Sequence, residues 1–560
     1  MTHDLLFRNA RVFDGSGGAS RVADVAVRGG RIAAVGPALG LSARQTVEAG
    51  GLALMPGIID SHTHFDAQIT WDPHVRPSPA LGVTTAVIGN CGFTIAPCRP
   101  THRALTMANL TQVEGMSLEV LERGIEWGFE SFPEYLAQLR RRGCGVNIAA
   151  YIGHSSVRTY VMGAEASERA ASAAEIAQMQ ALVRDAMAAG AVGFASSTSP
   201  AHNGQGGRPM PSRLADEREM RALVMAMAEG GAGVFMLTKG GDTPVAFLES
   251  LAADSGRAVM VAALLHNSTN PQAVFDDLDA ISAANARGHT LIGQVSCCPL
   301  TMDFTMQSPY PVEGLASWQP ALGAYGEALI AKLASCDFRD AVRAELATAT
   351  RFRLFNAEWE KVQVVEAATP AHAAYEQRSI GEIARTERRD PLDVMLDLAL
   401  EEQLRTVFTA QLLNADEAAV GRMLCHPHSL VSLSDAGAHL TFFNDAGFGL
   451  HLLGHWSRDL GAMPLQDAVR RLTHQPAQIF GFADRGLIRE GFAADLLLFD
   501  PATVARGPKR RVFDLPGGAP RLTTDAIGVH GVWVNGAQVA DRAGALPSPP
   551  LAGQLLTRFG

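Results

Sequence analysis

The residues best placed to do chemistry are two histidines one position apart, His62 and His64, in "MPGIIDSHTHFD". In an extended strand, residues i and i+2 face the same side. The end of this apolar run would therefore present two imidazoles together, which is the beginning of a metal site. Spacing alone is a weak signal, because 17 histidines in 560 residues give roughly half such a pair by chance. The chain carries its own control, His426 and His428 in "CHPHSL". What sets His62 and His64 apart must be the other side chains that can converge on them. Cys91, His154, Lys239, His266 and Asp435 are the candidates, since each lies at or just after the end of an apolar run.

Those runs define the elements that must position the site. "GIIDSHTH", "VTTAVIGNCG", "VNIAAYIGH", "AVGFASS", "GVFMLTKG", "AVMVAALLH", "TLIGQVSCC" and "SLVSLSD" read as eight buried strands. They alternate with amphipathic patterns such as "SAAEIAQMQALVRDAMAAG", which argues for parallel βα units. Eight units predict an α/β fold, a (β/α)8 barrel of the TIM type, whose active site lies at the C-terminal ends of the strands. Both termini differ from this middle. "DLLFRNARVFDG" and "RVADVAVRGGRIAAVG" near the start, and "AIGVHGVWVNGAQV" near the end, alternate apolar and polar residues and break at glycine. The expected division is residues 1–54 and 482–560 for a small β-sandwich domain shared by the two ends, and 55–481 for the barrel. Within the barrel, about 299–422 is read as a helical insertion before strand eight.

Bulk properties narrow the function classes. A net charge of −10 argues against nucleic acid or an anionic membrane as partner, and no apolar run approaches a membrane span. The polar, acidic "MTHDLLFRNARVFDG" lacks the apolar core of a secretion signal. Seven cysteines, odd in number and without C-x-x-C spacing, do not form a disulfide framework, and a cytoplasmic setting is expected.

The stretches "MPGIIDSHTHFD", "GVTTAVIGNCGFTIAP", "YIGHSSVRTYVMG", "AMAAGAVGFASS", "SLSDAGAHL" and "LTHQPAQIFGFADRGLIREGFAADLLLFD" together resemble the amidohydrolase superfamily, in its N-acyl-D-amino-acid deacylase (D-aminoacylase) branch. The resemblance implies zinc, as one or two divalent ions, and a small-molecule amide substrate; a homo-oligomer is compatible with it. It implies Cys91 as a thiolate ligand and His266 as a histidine ligand. It places His62 and His64 at a second metal position, with Asp435 as ligand and catalytic acid/base. One position departs from the family: Lys239 in "LTKGGD" stands where a strand-five histidine is expected. Carboxylated on its ε-nitrogen, Lys239 would bridge two ions; as an ammonium it would contact substrate; otherwise the metal is held less firmly. The lysine of a family S-H-x-K is absent from "LLHNST", and no arginine follows Asp435 in "SDAGAHLTFFNDAGFG".

Each residue also has a plainer reading. Asp435 could form an Asx-turn, Cys91 could be buried filler, and His266 could be a half-buried histidine with its hydrogen bonds satisfied. His154, His439, Arg208 and Arg213 are candidates for substrate binding, against loop or surface roles. Three functions compete: linear N-acyl amide hydrolysis, cyclic-amide hydrolysis with a carboxylated Lys239, and a barrel scaffold without catalysis. Retention of both the H-x-H pair and Asp435 argues against the scaffold.

Overall fold

The computed structural model describes residues 2–348 and 353–559. All eight expected strands form and lie in one parallel sheet. They are β1 (Ile58–Asp60), β2 (Val83–Ile88), β3 (Asn147–Gly153), β4 (Gly193–Ser197), β5 (Val234–Thr238), β6 (Val259–Leu264), β7 (Leu291–Val295) and β8 (Ser429–Val431). Hydrogen bonding runs in chain order from β1 to β8. The two outer strands meet just beyond their ends, where Thr63 bridges to Ala436 in parallel fashion and the His64 N–H donates to the Ala436 carbonyl at 2.8 Å. Every residue of β2 and β3 is buried, as parallel strands covered on both faces require.

The covering helices follow from their sequence. Ala173–Ala189 starts at a Ser172–Glu175 capping box and stops at Gly190, whose φ of 105° suits glycine. Its buried face is Ile176, Met179, Val183 and Ala186, spaced at helical intervals.

The terminal segments meet in a nine-stranded sheet in which His3–Val12 is flanked by Arg21–Arg28 and Ala53–Pro56, and the latter pairs with Leu496–Phe499. A separate hairpin, Ala505–Leu515 with Ala519–Ile527, reaches from this sheet to the barrel. There the Leu522 N–H donates to the Leu440 carbonyl at 2.7 Å, and Arg506 pairs with Asp445 at 2.5 Å. The hairpin thus braces the loop that follows β8.

The insertion is mostly helical, as expected, and also carries strands. Leu300–Phe304, Val407–Leu413 and Val362–Glu366 form a three-stranded antiparallel sheet among its helices, around a core of its own that includes Trp318, Phe338, Met395 and Phe408. The short strands "VQVVE" and "VFTAQLL" each cover one face only, so their alternation was masked by the longer helical patterns around them. Helix Glu417–Cys425 buries Ala419, Val420, Met423 and Leu424 in the barrel core and belongs to the barrel's own alternation. Among the described residues, no helix is long and apolar enough to cross a membrane.

Candidate metal centre

β1 ends at Asp60, and the chain continues extended so that His62 and His64 both enter the barrel mouth, 2% and 5% exposed. β2 ends at Ile88, and a tight turn swings Cys91 toward them. Gly89 and Cys91 both take positive φ, 86° and 57°, and Asn90 Nδ2 donates to the carbonyls of Thr63 and Val87 at 3.2 and 2.8 Å. The turn is thereby fastened to the β1 extension. One donor atom from each of His62, His64 and Cys91 lies within 4.8 Å of the others, and all three residues are buried.

Asp435 approaches the two histidines from the far side of the barrel seam. Its Oδ1 stands 3.2 Å from His62 Nε2 and 3.6 Å from His64 Nε2. Cys91 Sγ is 3.5 and 4.0 Å from the same two nitrogens. Bonds of about 2.0–2.3 Å to a tetrahedral ion imply donor separations of about 3.3–3.8 Å, so small side-chain shifts suffice to bring these donors to a zinc-like cation. The donor set of imidazole, thiolate and carboxylate fits it as well. Leu433, Asp435 and His439 take φ values of 68°, 48° and 54°. Together with Cys91 they concentrate left-handed non-glycine backbone at one pocket, where strain is tolerated for function.

The electrostatics point the same way. Burial favours a neutral Asp435, but the adjoining charges of His62 and His64, with a hydrogen bond from His64, hold its carboxyl well below the usual carboxylate range. Burial likewise opposes a Cys91 thiolate, yet His62 and His64 bring the thiol down to about 7. Burial opposes protonation of His62 and His64, and the surrounding anions overcome it: Cys91 and Asp435 raise His62, while Glu114 and Asp435 raise His64. Asp60 and Asp66, both pushed up to about 7 mainly by burial, add further acidic groups. An excess of buried anionic groups around two imidazoles is a field that favours a divalent cation.

The outer partners fix the rings. The His62 Nδ1–H donates to Gln294 Oε1 at 2.9 Å, and Gln294 Nε2 in turn donates to the Ser61 carbonyl at 3.4 Å. This leaves His62 Nε2 facing the cluster. Thr238 Oγ1 lies 3.0 Å from Cys91 Sγ, and Ser434 Oγ donates to Asp60 Oδ2 at 2.6 Å. Phe93, Val113, Ala263 and Leu433 give the pocket apolar walls, and Glu114, His202 and His439 complete it. His202 and His439 stay neutral; burial is the main cause for both and takes His202 down to about 3.

Several candidates are placed elsewhere. Lys239 is not brought to the cluster: its Nζ pairs with Asp277 at 3.1 Å. Thr238, one residue earlier, is the side chain of β5 that lines the pocket, so strand alternation turns Lys239 away. His266 lies beyond the end of β6, where Ala263 lines the pocket. Its backbone is tied to Asn414, donating to Oδ1 at 2.7 Å and accepting from the amide at 2.9 Å, and its ring lies near Phe275. The insertion therefore draws it off the barrel axis. His154 is wholly buried between Ser196 Oγ, at 2.8 Å, and Glu219 Oε1, at 2.9 Å, in a network that includes Arg158. Arg208 is exposed and paired with Glu168 at 3.0 Å. Arg213 donates to the His202 carbonyl at 3.1 Å and to Asn203, and so braces the loop carrying His202. Of the four substrate-binding candidates, His439 alone lines the pocket.

Sequence reasoning missed His202, Glu114 and Gln294. His202 follows β4 and could have been found by the same strand-end rule. Glu114 closes helix Arg103–Val113, and Gln294 lies inside β7, so neither sits where the rule looks.

A parallel barrel with histidine, thiolate and carboxylate gathered at its strand ends defines a class of metal-dependent hydrolase folds. The amidohydrolase family model matches residues 45–540, and the chain belongs to that family. It is 31% identical to the D-aminoacylase of Alcaligenes xylosoxydans xylosoxydans over 543 residues, covering 96% of this chain and 94% of that one. The solved N-acyl-D-glutamate deacylase of Bordetella bronchiseptica, complexed with zinc and a phosphonate inhibitor, superposes with a TM-score of 0.67 at 26% identity, covering 100% of both chains. A D-aminoacylase solved to define the role of its binuclear metal center gives 0.66 at 27% identity, covering 99% of this chain and 100% of that chain. The chain is an amidohydrolase resembling the D-aminoacylases.

Proposed function

We propose that the protein hydrolyses the amide bond of a small N-acyl compound, an N-acyl-D-amino acid being the class its relatives' names support. His62, His64 and Cys91 would hold a divalent ion, zinc by the donor set, with Asp435 as the fourth donor and as the acid/base. The observation that carries this reading is the approach of Asp435 Oδ1 to both histidines of a buried His-His-Cys cluster. When bound, such an ion supplies Lewis acidity, which acidifies water and polarises an amide carbonyl.

The chain's own residues do the rest. Asp435, held ionised at neutral pH, accepts the proton of the attacking water and returns it to the departing nitrogen. Phe93, Val113 and Leu433 line the pocket beside the carboxylate and lower the local dielectric, which strengthens its interactions. His202 and His439, both lowered by burial, offer hydrogen bonds to the substrate; His439 Nδ1 is buried and has no hydrogen-bond partner among the described residues. A carbamate on Lys239 is not part of the proposal, because its ammonium is engaged with Asp277 away from the cluster.

The test is turnover by zinc-loaded protein of paired N-acetyl-D- and N-acetyl-L-amino acids, alongside hydantoin and dihydrouracil. Hydrolysis of the D-series that disappears in Asp435→Asn supports the reading. Turnover confined to the cyclic amides would overturn it.

A further inference from the structure

The two histidines of the cluster have unlike supports. His62 Nδ1 meets the neutral amide of Gln294, whereas His64 Nδ1 meets the carboxylate of Glu114 at 3.2 Å. The Glu114 side chain is 3% exposed, and neither of its oxygens has a well-aligned hydrogen bond among the described residues. No lysine or arginine pairs with it among those residues. A buried carboxylate that faces one imidazole and no lysine or arginine among the described residues is expensive to maintain. Its position is nevertheless tightly defined. It closes helix Arg103–Val113, donating its N–H to the Leu110 carbonyl at 2.9 Å. Gly115 follows with φ of 60°, and a Cβ there would fall 3.0 Å from the backbone of His439. The helix end is thus packed against the loop carrying Asp435 and His439, and it delivers one carboxylate to the back of one imidazole.

We infer that Glu114 is the positioning residue of the metal centre. It orients the His64 ring so that Nε2 faces the cluster, and its charge strengthens that nitrogen as a donor. This rests on the reading that His62, His64 and Cys91 hold a cation. Carboxylates behind ligand histidines typically contribute 10–100-fold in metal affinity (an order-of-magnitude figure). Glu114 acts through His64 and is not itself assigned a contact with substrate.

The experiment is a zinc titration of the full-length protein against a chromophoric chelator, with the absorption spectrum of the cobalt-substituted protein as a second readout. The variants are Glu114→Gln, Glu114→Ala, His64→Ala and the Glu114→Gln/His64→Ala double. Glu114→Gln preserves shape and removes charge, so it keeps the test informative if the alanine variant folds poorly. Affinity is expected to fall about 10–100-fold in Glu114→Ala and by less in Glu114→Gln, with a changed cobalt spectrum in both. In the His64→Ala background, Glu114→Gln should have no further effect, because its route of action is gone. Equal zinc affinity and an unchanged cobalt spectrum in both Glu114 single variants would overturn the inference, as would an equally large further loss on adding Glu114→Gln to His64→Ala. Wild-type protein that binds no zinc would instead defeat the metal reading beneath it.

Discussion

The molecule contains two H-x-H pairs with opposite fates. His62 and His64 follow β1 and lie buried among Cys91, Asp435 and Glu114. His426 and His428 precede β8, at the other end of the barrel. There His426 Nε2 lies 3.1 Å from Ser282 Oγ, its carbonyl accepts from Arg471 at 3.2 Å, and among the described residues neither imidazole joins a thiolate or carboxylate in a three-donor cluster. The ring centroids within each pair are similarly spaced, at 5.3 and 5.9 Å. Proximity of two imidazoles is therefore not what sets the first pair apart. Position relative to the strand direction is, because loops at the C-terminal end of a parallel barrel bring other donors to the same point.

The sharpest way to break this contrast is to remove the proposed acid/base, Asp435. Asp435→Asn keeps the shape of the side chain, so folding and most bound zinc should persist while kcat falls by roughly 10²–10⁴-fold or more. Steady-state kinetics with metal analysis on the same sample checks it; turnover within a few-fold of wild type would place the proton transfer on another group.

A smaller effect is expected in acid. His154, wholly buried, is kept neutral chiefly by burial, so its folded pKa lies below the ordinary 6.5. The unfolded chain then binds a proton that the folded chain refuses, so the stability this residue contributes is present above pH 6.5 and is lost as pH falls below it. Denaturant unfolding at pH 7 and pH 5 should show this loss, and it should shrink in His154→Gln. Equal slopes in the two proteins would remove His154 from the account.

Lys239→Ala should matter less still. Its ion pair with Asp277 is partly exposed and lies apart from the cluster, so metal content and kcat should hold while stability changes by about 1 kcal/mol or less. Rescue of a dead Lys239→Ala protein by short carboxylic acids would instead restore the carbamate bridge. Smallest of all, His428→Ala should leave zinc content unchanged and shift stability by about 1 kcal/mol at most.

How far the site could be read from the sequence follows from the same contrast. All eight barrel strands were legible because long apolar runs bounded by glycine leave little choice of period, and their ends point at His62, His64, Cys91 and Asp435. Position at a strand end does not say which side chain turns inward. Lys239 drew attention at the position of an expected ligand, yet the pleat gives the pocket to Thr238. His266 lay within the same rule but was drawn away by Asn414, which is 148 residues distant in sequence. Glu114 reaches the centre from the end of a helix, a route that no strand pattern reveals. The three-stranded sheet of the insertion was hidden for a related reason, since its strands gain meaning only once paired.

The central claim is that the functional H-x-H pair shares one cation with Cys91. Zinc-edge X-ray absorption of the purified, zinc-loaded protein tests it most directly. The account predicts one sulfur scatterer at about 2.3 Å together with nitrogen and oxygen scatterers at about 2.0–2.2 Å, the sulfur disappearing in Cys91→Ser. A shell of nitrogen and oxygen alone in the wild type, or a sulfur that survives in Cys91→Ser, would contradict it.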